Sequence, residues 1–245
     1  MHRNFALPWN DIFVFRWGIR TAVRVYTGYD WIRTGYNRIR TGYNRIRTAV
    51  RIYGFVLTMA YTLSNMLPLG TIAPDFELPE PGTGNNIRLN DIKGARATVV
   101  MFLCNHCPYV LYINAEIVRI AQEYGPKGVQ FVGINSNDAE THPDDAPEKM
   151  GPHASTVGYT FPYLYDETQE VARQYDAACT PDFYVFDADL KLAYRGQLDG
   201  SRPKRNPVEP TGEDLRAALD AVLSGQPAAE VQRPSGGCNI KWKEA

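Results

Sequence analysis

The chain has 245 residues, is 44% hydrophobic and 22% charged, and carries a formal net charge of −1. That is the composition of an ordinary globular protein with room for one large domain, or for one domain with extensions. Four cysteines are too few to staple a chain of this length, and no apolar run approaches the roughly eighteen residues that span a bilayer.

The charge is uneven. Residues 1–58 hold ten Arg, no Lys and two acids (Asp11, Asp30), a net of +8 that leaves −9 for the remainder. Within this tract Ile32-Arg-Thr-Gly-Tyr-Asn-Arg38 recurs at Ile39–Arg45, decays at Ile46–Arg51 and has an earlier cousin at Ile19–Arg24. The period of seven is not a coiled coil: the repeating apolar positions are Ile and Tyr, with Gly beside the Tyr. Solenoid repeats are longer. The expectation is that residues 1–65 are an Arg-rich extension, disordered or the product of an upstream start-site assignment with the true start at Met59 or Met66. An arm binding nucleic acid or an anionic membrane is the alternative, and an ordered accessory element holding Trp9, Trp17 and Trp31 is a third. Gly54–Leu63 has a faint look of a signal-peptide core, but it is short, interrupted and far from the N-terminus, so export is not expected.

From Leu67 the pattern turns regular. Ala73–Leu78 and Ile87–Leu89 alternate around Pro81–Asn86, which predicts a β-hairpin. The run 97–103 is continuous and apolar, as a strand buried on both faces requires. Pro108 suits a first helical turn, and Val110, Ile113, Ile117 and Ala121 follow at helical spacing. Val129–Ile134 predicts the next strand. The acidic stretch Asn135–Met150 follows, and Gly151-Pro152 should break any helix there. Phe161–Leu164 reads as extended, and Glu167–Tyr175 as a helix burying Val171, Ala172 and Tyr175. Asp182–Asp187 and Lys191–Arg195 flank Ala188-Asp189 as a hairpin. Thr211-Gly-Glu-Asp214 opens a last helix like a capping box, with Leu215, Leu219, Val222 and Leu223 inward. Residues 225–245 form a Pro/Gly-rich tail. The order β-hairpin, β, α, β, α, β, α, β, β, α predicts an α/β sandwich, a mixed central sheet flanked by helices.

Chemistry concentrates at Cys104-Asn-His-Cys107-Pro108, where the apolar run meets the helix, and at Cys179-Thr180-Pro181 ahead of the next strand. A dithiol at a strand-to-helix junction reads as a redox pair. The partial positive charge of a helix N-terminus lowers a thiol pKa. Cys104, at the loop tip, is expected to be the more exposed thiol with the lower pKa, and so to attack. Cys107, inside the first turn, would resolve. His106 between them would tune the thiolate, or merely face solvent. Cys179 reads as a buried inert thiol. Cys238, in the Gly-rich tail, is expected to be free to reach a surface, as a resolving or an idle thiol. Asp138, Glu140, Asp144, Asp145 and Glu148 read as a solvated acidic face that could flank the site and select basic partners.

These segments resemble the thioredoxin-like superfamily, and within it the redoxin, or AhpC/TSA-type, proteins. The resemblance rests on Gly70–Phe76, Met101–Tyr109, Gly133–Asp138, Ala178–Phe183 and Gly237–Trp242, and covers roughly residues 66–243. It implies a thioredoxin-like sandwich, with Cys104 as attacking thiol, Cys107 as resolving thiol and Pro181 as a cis-proline preceded by Thr180. Two departures stand out. Peroxiredoxins carry Thr or Ser three residues before the peroxidatic Cys, where this chain has Met101. Thioredoxins carry Trp before the first Cys and a buried acid on the preceding strand, where this chain has Leu103 and Thr98.

The function expected is thiol–disulfide oxidoreduction, with a protein disulfide or peroxide as substrate and a dithiol donor such as a thioredoxin or glutathione system. Peroxide reduction with an antioxidant role is the alternative, with Cys104 passing through a sulfenic acid that condenses with Cys107. Metal binding by Cys104, His106, Cys107 and Cys179 or Cys238 is a further one, weakened by the lack of a second paired cluster, since His2, His142 and His153 are scattered. No cofactor, nucleic-acid partner or membrane partner is expected, and the compartment expected is the cytoplasm.

Overall fold

The computed structural model describes residues 61–203 and 205–244, all within the unit Thr58–Ala245. The heptad repeat, and each reading of it given above, lies outside the described residues.

The organising element is β4 (Ala97–Phe102), every residue of which is buried. It pairs in parallel with β5 (Val129–Asn135), which pairs in parallel with β6 (Tyr163–Tyr165). On its other side it pairs antiparallel with β8 (Asp182–Asp187), which pairs with β9 (Leu192–Gly196). The sheet is thus mixed, in the order β6-β5-β4-β8-β9. Successive side chains of a strand point to opposite faces. Ala97, Val99 and Met101 therefore join one core with helix α1 (Pro108–Tyr124) and helix α4 (Glu213–Leu223). Val100 and Phe102 join another, with helix α3 (Glu170–Gln174) and the hairpin of β2 (Glu77–Glu80) and β3 (Asn85–Arg88). Two buried faces are the reason the strand reads as an unbroken apolar run. The result is the expected thioredoxin-like α/β sandwich.

Helix α1 starts at Pro108, where a missing N–H costs nothing, and buries Val110, Ile113, Ile117 and Ala121. The expected break at Gly151-Pro152 does not occur: helix α2 (Pro147–Val157) runs through both. Its Met150 is fully buried, so the packing of that turn holds a helix that local propensity opposes. Gly151 is needed there, because a Cβ would lie 2.9 Å from the Cα of Gly82 in the hairpin turn. Helix α3 is shorter than its pattern suggests, although Val171, Ala172 and Tyr175 are buried as expected. The capping box at Thr211 is not formed. Gly212 occupies the N-cap with a φ of 67°, and Asp199 accepts the Thr211 and Gly212 N–H groups, both at 2.7 Å. A residue far away in sequence thus does the work assigned to a local cap.

A second sheet lies outside the sequence expectation altogether. Strand β10 (Gly236–Asn239) runs between β1 (Tyr61–Leu63) and β7 (Cys179–Thr180), antiparallel to both. The ordered domain therefore reaches back past residue 66 to at least Tyr61. Residues 236–240 are no free tail: Cys238 and Ile240 are buried. Gly237 lets β10 approach β7 closely, since a Cβ there would stand 2.0 Å from the Thr180 carbonyl oxygen.

Candidate redox site

Three segments meet at the C-terminal end of β4. The turn leaving the strand carries Cys104, Asn105 and His106, and Cys107 is the N-cap of α1. The β7–β8 junction supplies Thr180-Pro181, whose peptide is cis. The loop after β5 supplies Asn137 and a short 3-10 turn, Pro143–Asp145.

Thr180 touches both thiols. Its hydroxyl lies 3.3 Å from Cys104 Sγ, and its carbonyl oxygen lies 3.2 Å from Cys107 Sγ. The expected exposure of Cys104 is not found: both sulfurs are fully buried. The expected drop in its pKa is not found either. Burial pushes the Cys104 thiol up, joined by its hydrogen bond to Cys107 and by the charge of Asp145. At Cys107 burial acts in the same direction but is outweighed. Hydrogen bonds from the Cys104 and Cys238 thiols and from the backbone N–H groups of Val110 and Cys238 favour its thiolate. Cys107 occupies the N-cap of α1, nearer the helix start than Cys104. Yet only a protonated Cys107 can donate to the Thr180 carbonyl. The contacts describe two places for one shared proton, so the dithiol titrates as a unit. Loss of the first proton is eased and loss of the second is opposed by burial.

The solvated acidic face holds for Glu140, Asp144 and Glu148, which are exposed, and is corrected at Asp138 and Asp145. Asp145 is fully buried and Asp138 nearly so. Asp145 Oδ1 accepts the Asn105 N–H at 2.7 Å, and Oδ2 accepts Asn137 Nδ2 at 2.7 Å. Asn135 Nδ2 donates to its backbone carbonyl at 3.2 Å. Asn105 is held further by Tyr163 Oη, which donates to its Oδ1 at 3.1 Å, and by its own Nδ2 donating to Asp144 O at 3.0 Å. The Cys104–Cys107 turn is therefore clamped from the β5 loop. His106 Nδ1 stands 2.6 Å from Asp145 Oδ2, a charge contact out of hydrogen-bond alignment, and its ring stacks on His142 at 5.6 Å. Asp145 raises the His106 pKa above its usual value, against the opposing effect of burial. His106 is thus half-buried and paired rather than solvent-facing.

Sequence reasoning missed Asp145 as an individual and missed a second buried acid, Asp182, next to the cis-proline. Asp182 accepts Ser64 Oγ at 2.9 Å and Tyr184 Oη at 3.1 Å, and burial lifts its carboxyl to about 7. Aspartate within an apolar strand run was the available signal for Asp182. For Asp145 there was no local signal, because its partners Asn105 and Asn137 meet it only in the fold. Cys179 is buried, as its inert reading requires, and donates toward Pro181 O at 3.6 Å. Cys238, expected at a surface, instead lies behind the dithiol.

Among the described residues, Cys104, His106 and Asp145 bring ligand atoms within 4.8 Å of one another. They fit a metal ion poorly. Two ligands on one tetrahedral zinc stand roughly 3.3 Å apart, given bonds of about 2.0 Å. His106 and Asp145 are closer than that, and the Asp145 oxygens already accept from Asn105 and Asn137.

Comparison with known proteins bears on the family and the fold. The chain is 28% identical over 132 residues, 52% of its length, to the thiol:disulfide interchange protein DsbE of Allochromatium vinosum, spanning 66% of that relative. It is 29% identical over 116 residues, 47% of its length, to a Mycobacterium tuberculosis protein with a provisional peroxiredoxin name, spanning 68% of it. Among solved structures, it is similar to an uncharacterized conserved protein from Geobacillus kaustophilus, at 60% identity and a TM-score of 0.75, over 77% of this chain and all of that one. Residues 69–195 match the AhpC/TSA family, a span that takes in the dithiol, the Asp145 clamp and the cis-proline, and the chain belongs to that family.

Proposed function

We propose that this protein is a thiol–disulfide oxidoreductase that works through Cys104 and Cys107. The reading rests on one observation: a single residue, Thr180, contacts both sulfurs at a helix start and beside a cis-proline. Cys104, which the resemblance to redoxins makes the attacking thiol, attacks a substrate disulfide once the turn that buries its sulfur opens, and releases one substrate thiol, forming a mixed disulfide. Cys107 then attacks Cys104 Sγ, releases the second substrate thiol and closes the Cys104–Cys107 bond. The Thr180 hydroxyl is placed to donate to a Cys104 thiolate. His106 carries its positive charge against Asp145, whose own charge opposes ionisation of Cys104. Substrates on this reading are protein disulfides or peroxides. The electron donor is a dithiol system of the thioredoxin or glutathione kind, and the compartment is the cytoplasm. Among the described residues no helix is long and apolar enough to cross a membrane.

Insulin-disulfide reduction and stopped-flow peroxide consumption, run side by side on wild type, Cys104→Ser and Cys107→Ser, test the proposal. Disulfide reduction should be the faster activity and should fall by about 100-fold or more in either variant, since Cys107→Ser stops at the mixed disulfide and Cys104→Ser loses the attacking thiol. Full activity in either variant would refute it. Peroxide consumption that outpaces insulin reduction would replace it with the peroxidase reading.

A further inference from the structure

Cys107 is hydrogen-bonded to two thiols, Cys104 in the turn before it and Cys238 on strand β10. The sheet explains the second contact. Cys238 pairs in register with Thr180, and Asn239 pairs with Cys179. Paired residues of adjacent strands project to the same face. Cys238 therefore lies on the face where the Thr180 hydroxyl meets Cys104. Cys179, one residue before Thr180, projects to the other face. Gly236 and Gly237 precede Cys238, and a Cβ at Gly237 would overlap the Thr180 carbonyl. The glycine thus permits the close approach that brings a third thiol up to the pair. Cys238 itself is 2% exposed, so its partner is an internal one rather than an external substrate.

We propose that Cys238 is a third redox thiol, which exchanges into the Cys104–Cys107 disulfide to give a Cys107–Cys238 disulfide and a free Cys104. The inference rests on the reading of Cys104 and Cys107 as a redox pair. The step balances internally. The Cys238 sulfur attacks Cys107 Sγ, the Cys104–Cys107 bond breaks, and the Cys104 sulfur leaves with the electron pair and takes up the proton that Cys238 gives up. No external oxidant or reductant enters. The oxidised state moves one thiol deeper, and Cys104 returns as a thiol to its place beside Thr180 and His106. Cys104 can then form a mixed disulfide with a second substrate, which Cys107 resolves only after the Cys107–Cys238 bond has been reduced.

The test is disulfide mapping of the full chain, folded, after oxidation by diamide, an acid quench, N-ethylmaleimide alkylation and non-reducing digestion with mass spectrometry. Wild type should give both Cys104–Cys107 and Cys107–Cys238 linked peptides. The second should appear in roughly a tenth or more of oxidised chains, within tenfold of the first. Cys104→Ser should form the Cys107–Cys238 bond directly, and Cys238→Ser should give only Cys104–Cys107. Wild type that forms Cys104–Cys107 but no Cys107–Cys238 link, at any ratio of reduced to oxidised glutathione, overturns the relay and leaves the proposed function standing. Because that result is read in wild type, it holds even if a variant misfolds. Absence of any Cys104–Cys107 bond in wild type would instead overturn the proposed function.

Discussion

Replacing Asp182 by Asn should convert a pH-sensitive protein into a less sensitive one. Asp182 is fully buried, and its carboxyl is lifted to about 7 chiefly by loss of hydration, in spite of the hydrogen bonds from Ser64 and Tyr184. An unfolded chain would ionise the same group near 3.8. Between those values the folded state holds a proton that the unfolded state has released, so stability falls as pH rises through that window. Each unit of separation is worth 1.36 kcal/mol, so the full loss is on the order of 4 kcal/mol and is complete slightly above pH 7. Total stabilities are about 5–15 kcal/mol, so the effect should be easy to see. Asn has a similar shape and no charge, and the Ser64 and Tyr184 hydroxyls can each donate or accept to suit it. Urea unfolding of both proteins, kept reduced, at intervals from pH 5 to 8.5 is the assay. The variant should already lead by about 1–2 kcal/mol at pH 5 and by about 4 kcal/mol at pH 8.5, so the gap should widen by roughly 3 kcal/mol across the range. Titrations shared by both proteins, His106 included, cancel in the difference. A constant gap across the range would refute the account of Asp182 as a buried acid that resists ionisation.

Gly237→Ala should destabilise the domain by about 2 kcal/mol or more, because the new Cβ meets backbone rather than a flexible side chain. Thermal unfolding measures it, and an unchanged Tm would mean that β10 is not held as described. His106→Ala should lower stability at pH 6 by on the order of 1 kcal/mol and matter less at high pH. The raised His106 pKa makes its pairing with Asp145 fully available below the unfolded value near 6.5, and the pairing is lost as pH rises through the higher folded value. Denaturant curves at pH 6 and pH 9 with equal differences from wild type would contradict the pairing. Elemental analysis of protein purified under reducing conditions should find metal well below one equivalent. A stoichiometric ion that survives chelator would show that Cys104, His106 and Asp145 rearrange into a binding site.

The parts of this protein that were legible in advance are those whose cause is local. An apolar run long enough only for a strand, a proline at a helix start and a period of 3.6 in Val110, Ile113, Ile117 and Ala121 are written within a few residues of where they act. Cys104, Cys107, Thr180 and Pro181 could be named for the same reason, although only the fold brings them together. What went unread depends on pairing across the chain. Nothing near Asp145 says that Asn105 and Asn137 will enclose it, so it looked like one more solvated acid. Nothing near Cys238 says that β10 will run between β1 and β7, so it looked mobile. Burial of Cys104 reversed the inference drawn from helix polarity, because desolvation of a thiolate outweighs a helix start whose N-cap is its neighbour Cys107. At Gly151-Pro152 and at Gly212, tertiary packing overruled the local signal outright.

The strand order has a consequence for biosynthesis. On the ribosome the turn bearing Cys104 and Cys107 emerges long before Gly236–Asn239, the segment that finally lies alongside Thr180. A nascent domain therefore passes through a stage in which Cys104 and Cys107 have emerged but are not yet enclosed. Enclosure of those thiols against stray cross-links is complete only once Gly236–Asn239 has been released and has paired beside Thr180.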